Sequence, residues 1–136
     1  MANGTVLLQL IGITKRFPGV LALDSVDMEV MSGEVHGLTG ENGAGKSTLI
    51  KILTGAYTPD RGEIIFDNKK LEQLTPLKAM NEGIACIYQE LNLIPNLTVV
   101  ENIFLGRELY KVKNFKVLDR KKMLREAETL LKELGL

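Results

Sequence analysis

The stretch Gly40-Glu41-Asn42-Gly43-Ala44-Gly45-Lys46-Ser47-Thr48 constrains this chain more than any other. It fits G-x-x-x-x-G-K-[ST], a loop whose backbone N–H groups turn inward around a cluster of negative oxygens. Such a turn needs backbone angles that a side chain would block, and Gly40, Gly43 and Gly45 supply that freedom. Lys46 adds a full positive charge, and Ser47 offers a hydroxyl to a divalent cation. Glu41, Asn42, Ala44 and Thr48 complete the wrapping backbone. A helix that starts at the loop's end aims its positive dipole at the same oxygens. The ligand implied is a nucleoside triphosphate with Mg²⁺, its β- and γ-phosphates facing Lys46.

A glycine-rich turn before an ordinary helix would share part of this spelling, so the flanks decide. Val35-His36-Gly37-Leu38-Thr39 reads as a short buried strand entering the loop. Lys46 to Thr54 reads as a helix with Leu49, Ile52 and Leu53 on one face, and Gly55 stands past its end. Strand, loop and helix are the context that a P-loop requires.

The rest of the chain alternates strands and helices. Residues 6 to 11 form an expected first strand, followed by a turn over Thr14 to Gly19. Val26, Met28 and Val30 alternate with acidic residues, a half-exposed strand of antiparallel type. Thr58-Pro59-Asp60-Arg61-Gly62 is a turn, and Glu63 to Asp67 a strand. Thr75 before Pro76 opens a helix that ends near Gly83. Ile84 to Tyr88 is a continuous apolar run, as expected of a buried parallel strand ending at Gln89. Thr98 with Glu101 three residues on makes a capping box for a short helix. Arg107 to Leu118 reads as irregular. Asp119 caps the last helix, whose apolar stripe is Met123, Ala127, Leu130, Leu131 and Leu134.

Composition narrows the field further. The chain has 136 residues, with 17 basic and 17 acidic side chains. This balance gives no electrostatic case for a nucleic-acid partner. No apolar run reaches the length of a membrane span, and the Val6–Leu10 run has no basic segment ahead of it to make a secretory signal. The single Cys86 excludes an internal disulfide.

From Leu10 onward the chain resembles the nucleotide-binding domain of ABC transporter ATPases. The loop spelling GENGAGKST is typical of that family. Two further stretches resemble its branch that imports ribose, galactose, xylose and related monosaccharides. One is Lys15 to Val20 followed by Ala22-Leu23-Asp24. The other is Ile87 to Pro95 continuing through Glu101 to Glu108. The fold this implies is an α/β P-loop NTPase core with an antiparallel β part. Residues 5–34 would form the β part, 35–90 the P-loop core, and 91–136 the Q-loop and the opening of the helical subdomain.

The resemblance also assigns roles. Phe17 matches the aromatic that stacks on the adenine of ATP; a turn aromatic packed into the core is its plainer reading. Gln89 matches the Q-loop glutamine, whose amide reaches Mg²⁺ or the attacking water. Lys46 and Gln89 would be the catalytic pair, and Ser47 and Gln89 the metal contacts. Leu91, Leu93, Ile94 and Leu97 have two open readings, local burial or a groove for a helix of the membrane subunit. Two residues imitate other motifs. Ile64 to Asp67 looks like a Walker B strand, but Asn68 follows where the family has glutamate, so it is read as a strand running into a turn. His36 stands upstream of the P-loop, where the family's switch histidine does not, so it is read as a strand residue.

The resemblance implies an ATP-binding subunit that couples hydrolysis to monosaccharide uptake. Its partners would be transmembrane permease subunits, a sugar-binding protein reached through them, and a second nucleotide-binding domain. Its place would be cytoplasmic, at the inner face of the cell membrane. The 136 residues hold no LSGGQ-type signature and no Walker B glutamate or switch histidine after Gln89. The chain therefore reads as the N-terminal part of a longer ATPase, binding MgATP without turning it over by itself. A soluble ABC-type ATPase without a transporter, or a nucleotide-binding module without hydrolysis, are the alternatives.

Overall fold

A computed structural model describes residues 4–88, 93–112 and 115–136. They divide into two compact units, Met1–Ile87 and Tyr88–Leu136.

The first unit is built on a long hairpin. β1 (Val6–Phe17) and β2 (Val20–Met31) pair antiparallel down to Phe17 and Val20. The turn between them is Pro18-Gly19, with Gly19 at φ +79°. Pro18-Gly19 thus joins two strands, and the expected turn over Thr14 to Phe17 is strand instead. The same pairing lengthens the strand expected only around Val26 to Val30. The pairing has several register shifts, and Gly12, at φ +59°, lies within the one between Leu10 and Ile13. Its N–H donates to Asp27 Oδ1 at 2.6 Å, which occupies a donor that the ladder leaves free.

β3 (Arg61–Phe66) adds to the other edge of β1, and β4 (Lys69–Lys70) pairs with β3. The sheet order is β2-β1-β3-β4, antiparallel throughout. Asp67 and Asn68 both have positive φ, 48° and 60°, and form the two-residue turn between Phe66 and Lys69. That is the backbone of a primed hairpin turn, for which Asp and Asn are suited. The acid at the end of β3 therefore belongs to a turn.

Three segments supply the core. α1 (Lys46–Leu53) buries Leu49, Ile52 and Leu53, the face its spacing predicts. These meet Leu10, Ile13, Leu23 and Ile64 from the sheet, with Leu74 and Ala79 from the region of α2 (Pro76–Asn81). Leu10, Ile13 and Ile52 are completely enclosed. Truncating any of them to alanine costs about 2–5 kcal/mol in such a site. Thr75 Oγ accepts the Lys78 N–H at 3.3 Å, so the expected N-cap of α2 is formed.

Two expected strands are absent. Val35 to Thr39 has no ladder and lies exposed, with Val35 fully so. Ile84 to Tyr88 likewise forms no strand, and Ile87 is 95% exposed. A parallel strand is stable only between hydrogen-bonded neighbours. Among the described residues no strand pairs with either segment.

In the second unit α3 (Val99–Ile103) carries the expected capping box. Glu101 N–H donates to Thr98 Oγ at 3.3 Å, and Thr98 N–H donates to a Glu101 carboxylate oxygen at 2.9 Å. β5 (Tyr110–Val112) and β6 (Val117–Leu118) form a small antiparallel pair where irregular chain was expected. Asp119 caps α4 (Arg120–Glu133) by accepting the Lys122 N–H at 3.1 Å. Of the α4 stripe, Met123 and Ala127 are buried with Phe104, whereas Leu130 and Leu134 are exposed.

Candidate functional site

The loop from Gly40 to Thr48 has the backbone its sequence predicts. Gly40, Gly43 and Gly45 stand at φ +154°, +89° and +86°. Gly45 is also the N-cap residue of α1, and no side chain caps that helix end. The first-turn N–H groups thus keep their donors for a ligand. Lys46 Nζ donates to the carbonyl oxygens of Gly40 and Glu41 at 2.6 and 2.7 Å. The ammonium is drawn back across the mouth of its own loop. Ala44 N–H closes a turn on Glu41 O at 3.1 Å.

The hairpin holds this loop from one side. A Cβ on Gly45 would stand 2.4 Å from Ala22 O and 2.7 Å from a Leu23 methyl. The loop therefore lies directly on β2. One cavity of about 460 Å³ results, lined by Phe17, Val20 and Ala22 on one side and residues 42–48 on the other. Phe17, half-buried at the end of β1, and the glycine loop share this cavity. Val20 and Ala22 were not legible as site residues. They lie two apart on β2, so both reach the same face once the turn at Pro18-Gly19 folds the hairpin.

Phe17 has its own neighbours. Tyr57 meets it edge-on, with ring centroids 5.4 Å apart and an interplanar angle of 68°. Lys15 Nζ lies 5.6 Å from the Phe17 centroid and pairs with Asp60 at 2.9 Å. The Arg16 N–H, then the Lys15 ammonium, hold the Asp60 carboxyl below the usual aspartate range.

Other residues fall elsewhere. Ser47 is exposed within the cavity wall, where its hydroxyl is accessible to a cation. His36 pairs with Glu34 at 2.9 Å in the exposed segment before the loop, so it is not a strand residue. Gln89, the expected sensor, lies outside the described residues, as does Leu91. Leu93, Ile94 and Leu97 line an apolar cavity of about 360 Å³ with Pro95, Val99, Asn102 and Ile103. Among the described residues no group of three His, Cys, Asp or Glu could hold a metal, and no helix is long and apolar enough to cross a membrane.

The ABC transporter family model matches residues 23–136. A ribose import ATP-binding protein of Rubrobacter xylanophilus is 58% identical over 130 residues, covering 96% of this chain and 26% of that protein. A putative ribose/galactose/methyl galactoside import ATP-binding protein of Geobacillus kaustophilus is 61% identical over 102 residues, 75% of this chain and 20% of that protein. The chain spans about a quarter of the length of the curated relatives it matches. Among solved structures, MJ1267, an ATP-binding cassette of an ABC transporter, matches with a TM-score of 0.78 and 30% identity, over 97% of this chain and 55% of that one. The dimeric cassette MJ0796 bound to ADP and Pi matches with a TM-score of 0.70 and 26% identity, over 96% of this chain and 58% of that one. Glycine loop, flanking helix, antiparallel hairpin and family match together show that this chain belongs to the ABC transporter family and carries the P-loop part of its ATP-binding cassette fold.

Proposed function

We propose that this chain forms the nucleotide-gripping part of an ATP-binding subunit that drives monosaccharide import. The observation that carries the reading is the single cavity shared by Phe17 and the loop around Lys46. A flat ring at one end and a ring of backbone donors with a cation at the other suit a base and a polyphosphate. Adenine stacks on Phe17. Lys46 leaves the Gly40 and Glu41 carbonyls to meet the β- and γ-phosphates. The freed first-turn N–H groups of α1 take the remaining phosphate oxygens. The residues fit Mg²⁺ as well, since Ser47 presents a hydroxyl beside the cradle. Gln89 would add an amide to the same ion. Bound Mg²⁺ supplies charge neutralisation between the phosphates.

In the full-length protein, hydrolysis is coupled to sugar uptake through transmembrane permease subunits, a sugar-binding protein and a second nucleotide-binding domain. The names of the ribose and galactose import relatives support this step. Attachment at the inner membrane face comes through those subunits. Residues 1–136 by themselves bind MgATP with negligible turnover, since they contain no Walker B glutamate after the Q-loop position.

The test is sugar uptake by vesicles holding the full-length protein and its permease. ATP-driven uptake that Lys46→Ala abolishes is expected. ATP binding without association with a sugar permease would assign the chain to a soluble ATPase instead. Steady-state phosphate release by residues 1–136, abolished by Lys46→Ala, would overturn the claim of negligible turnover.

A further inference from the structure

Phe17 sits at the closed end of the hairpin, paired with Val20 across the Pro18-Gly19 turn. Its ring is held by a group outside the hairpin as well. Tyr57 packs its edge against it, at 5.4 Å and 68°. This is the favourable T-shaped arrangement of two aromatic quadrupoles. Tyr57 in turn is tied to α1. Its N–H donates to Lys51 O at 3.0 Å, and Lys51 Nζ lies over its ring at 5.2 Å from the centroid. α1 is the helix whose other end is the phosphate loop.

Asp60 acts on the strand itself. One carboxylate oxygen accepts the Arg16 N–H at 2.6 Å, and the other accepts from Lys15 Nζ at 2.9 Å. Its own N–H donates to Thr14 O at 2.8 Å. The last residues of β1 before Phe17 are thereby clamped beyond the point where the β1–β3 ladder ends, at Thr14 and Arg61. Lys15, fixed by this ion pair, stands over the Phe17 ring within cation–π range.

We propose that Tyr57 and Asp60 are positioning residues for the base platform: through α1 and the end of β1 they set where the Phe17 ring stands relative to the phosphate loop. This inference rests on the reading of Phe17 as the surface on which the nucleotide base stacks. Tyr57 transmits the position of α1 to the ring, and Asp60 fixes the strand that carries it. The phosphate loop does not depend on either. A ligand with a base therefore feels both residues, whereas a bare polyphosphate feels neither.

The experiment is a pair of equilibrium titrations on the full-length protein, with MgATP and with Mg-tripolyphosphate. Tyr57→Leu is expected to weaken MgATP about threefold to tenfold, the scale of one aromatic pair, and to leave tripolyphosphate unchanged. Tyr57→Phe, which keeps the ring, restores ATP binding. Asp60→Asn gives a smaller loss of the same selectivity and serves where Tyr57→Leu folds poorly. Equal weakening of ATP and tripolyphosphate by both variants would overturn the proposal, because the damage would then lie in the loop or the fold. If Phe17→Ala weakens ATP while Tyr57→Leu and Asp60→Asn do not, this inference fails alone. If Phe17→Ala leaves ATP binding unchanged, the base platform fails and this inference with it.

Discussion

Gly45 stands against the backbone of Ala22, so close that a Cβ there would lie 2.4 Å from the Ala22 carbonyl oxygen. This contact ties the phosphate loop to the hairpin that carries Phe17. It also explains why the last glycine of the loop is required twice. The residue sits at φ +86°, and no space exists beside it. Gly45→Ala is expected to cost about 1–3 kcal/mol from backbone strain alone, and more from the clash. Thermal unfolding together with an MgATP titration checks it. A variant of unchanged stability and affinity would mean that the loop does not lie on β2.

Lys46 bridges two carbonyl oxygens of its own loop. Neutral carbonyls hold a full positive charge less strongly than phosphate does, so the proposed nucleotide site predicts that the ammonium transfers to the phosphates. Lys46→Ala is expected to weaken MgATP about tenfold to a hundredfold, the range of a charge-assisted hydrogen bond. Stability should hardly change, because the lysine makes only local contacts. Calorimetric titration measures the loss, and unfolding in the absence of nucleotide measures the control.

Much of this was legible because it is local. Thr75 before Pro76, Thr98 with Glu101, and Asp119 each cap the helix that follows, since a cap depends on residues within one turn. The core face of α1 follows from the spacing of Leu49, Ile52 and Leu53 in the same way. Strands depend on distant partners. Val35 to Thr39 and Ile84 to Tyr88 have the apolar runs of buried strands, yet no strand among the described residues pairs with them. The tie between Phe17 and Tyr57 was invisible for the same reason: it joins a hairpin end to the segment after α1. Leu130 and Leu134 extend the periodic stripe of α4, but only Met123 and Ala127 find a surface to bury against within that unit.

The Asp60 clamp has a pH dependence. Its carboxyl is held below the usual aspartate range, first by the Arg16 N–H and then by the Lys15 ammonium. A depressed folded pKa stabilises above the unfolded value of about 3.9, and that stability is lost as pH falls through the folded value. The urea midpoint of wild type minus that of Asp60→Asn should therefore be constant near neutrality. It should shrink once the pH drops below about 4. A difference that stays constant into strong acid would show that the carboxylate charge plays no part in the clamp.

α3 is short, with five residues, and depends on its cap. Thr98 Oγ accepts the Glu101 N–H at 3.3 Å and donates to the Glu101 carboxylate at 2.8 Å. Thr98→Ala is expected to cost about 1 kcal/mol, and Thr98→Ser to recover most of it. Amide hydrogen exchange of residues 99–103 is the sensitive readout. Protection that survives Thr98→Ala would place the stability of α3 in packing through Val100 and Ile103 instead.

Phe17 and the loop from Gly40 to Thr48 are proposed to grip one nucleotide between them. A crystal structure of the full-length protein with Mg²⁺ and a non-hydrolysable ATP analogue tests it most directly. Adenine is expected to stack on the Phe17 ring, with Lys46 Nζ moved from the Gly40 and Glu41 carbonyls onto the phosphates. An adenine bound away from Phe17, or phosphates held with Lys46 still on those carbonyls, would contradict it.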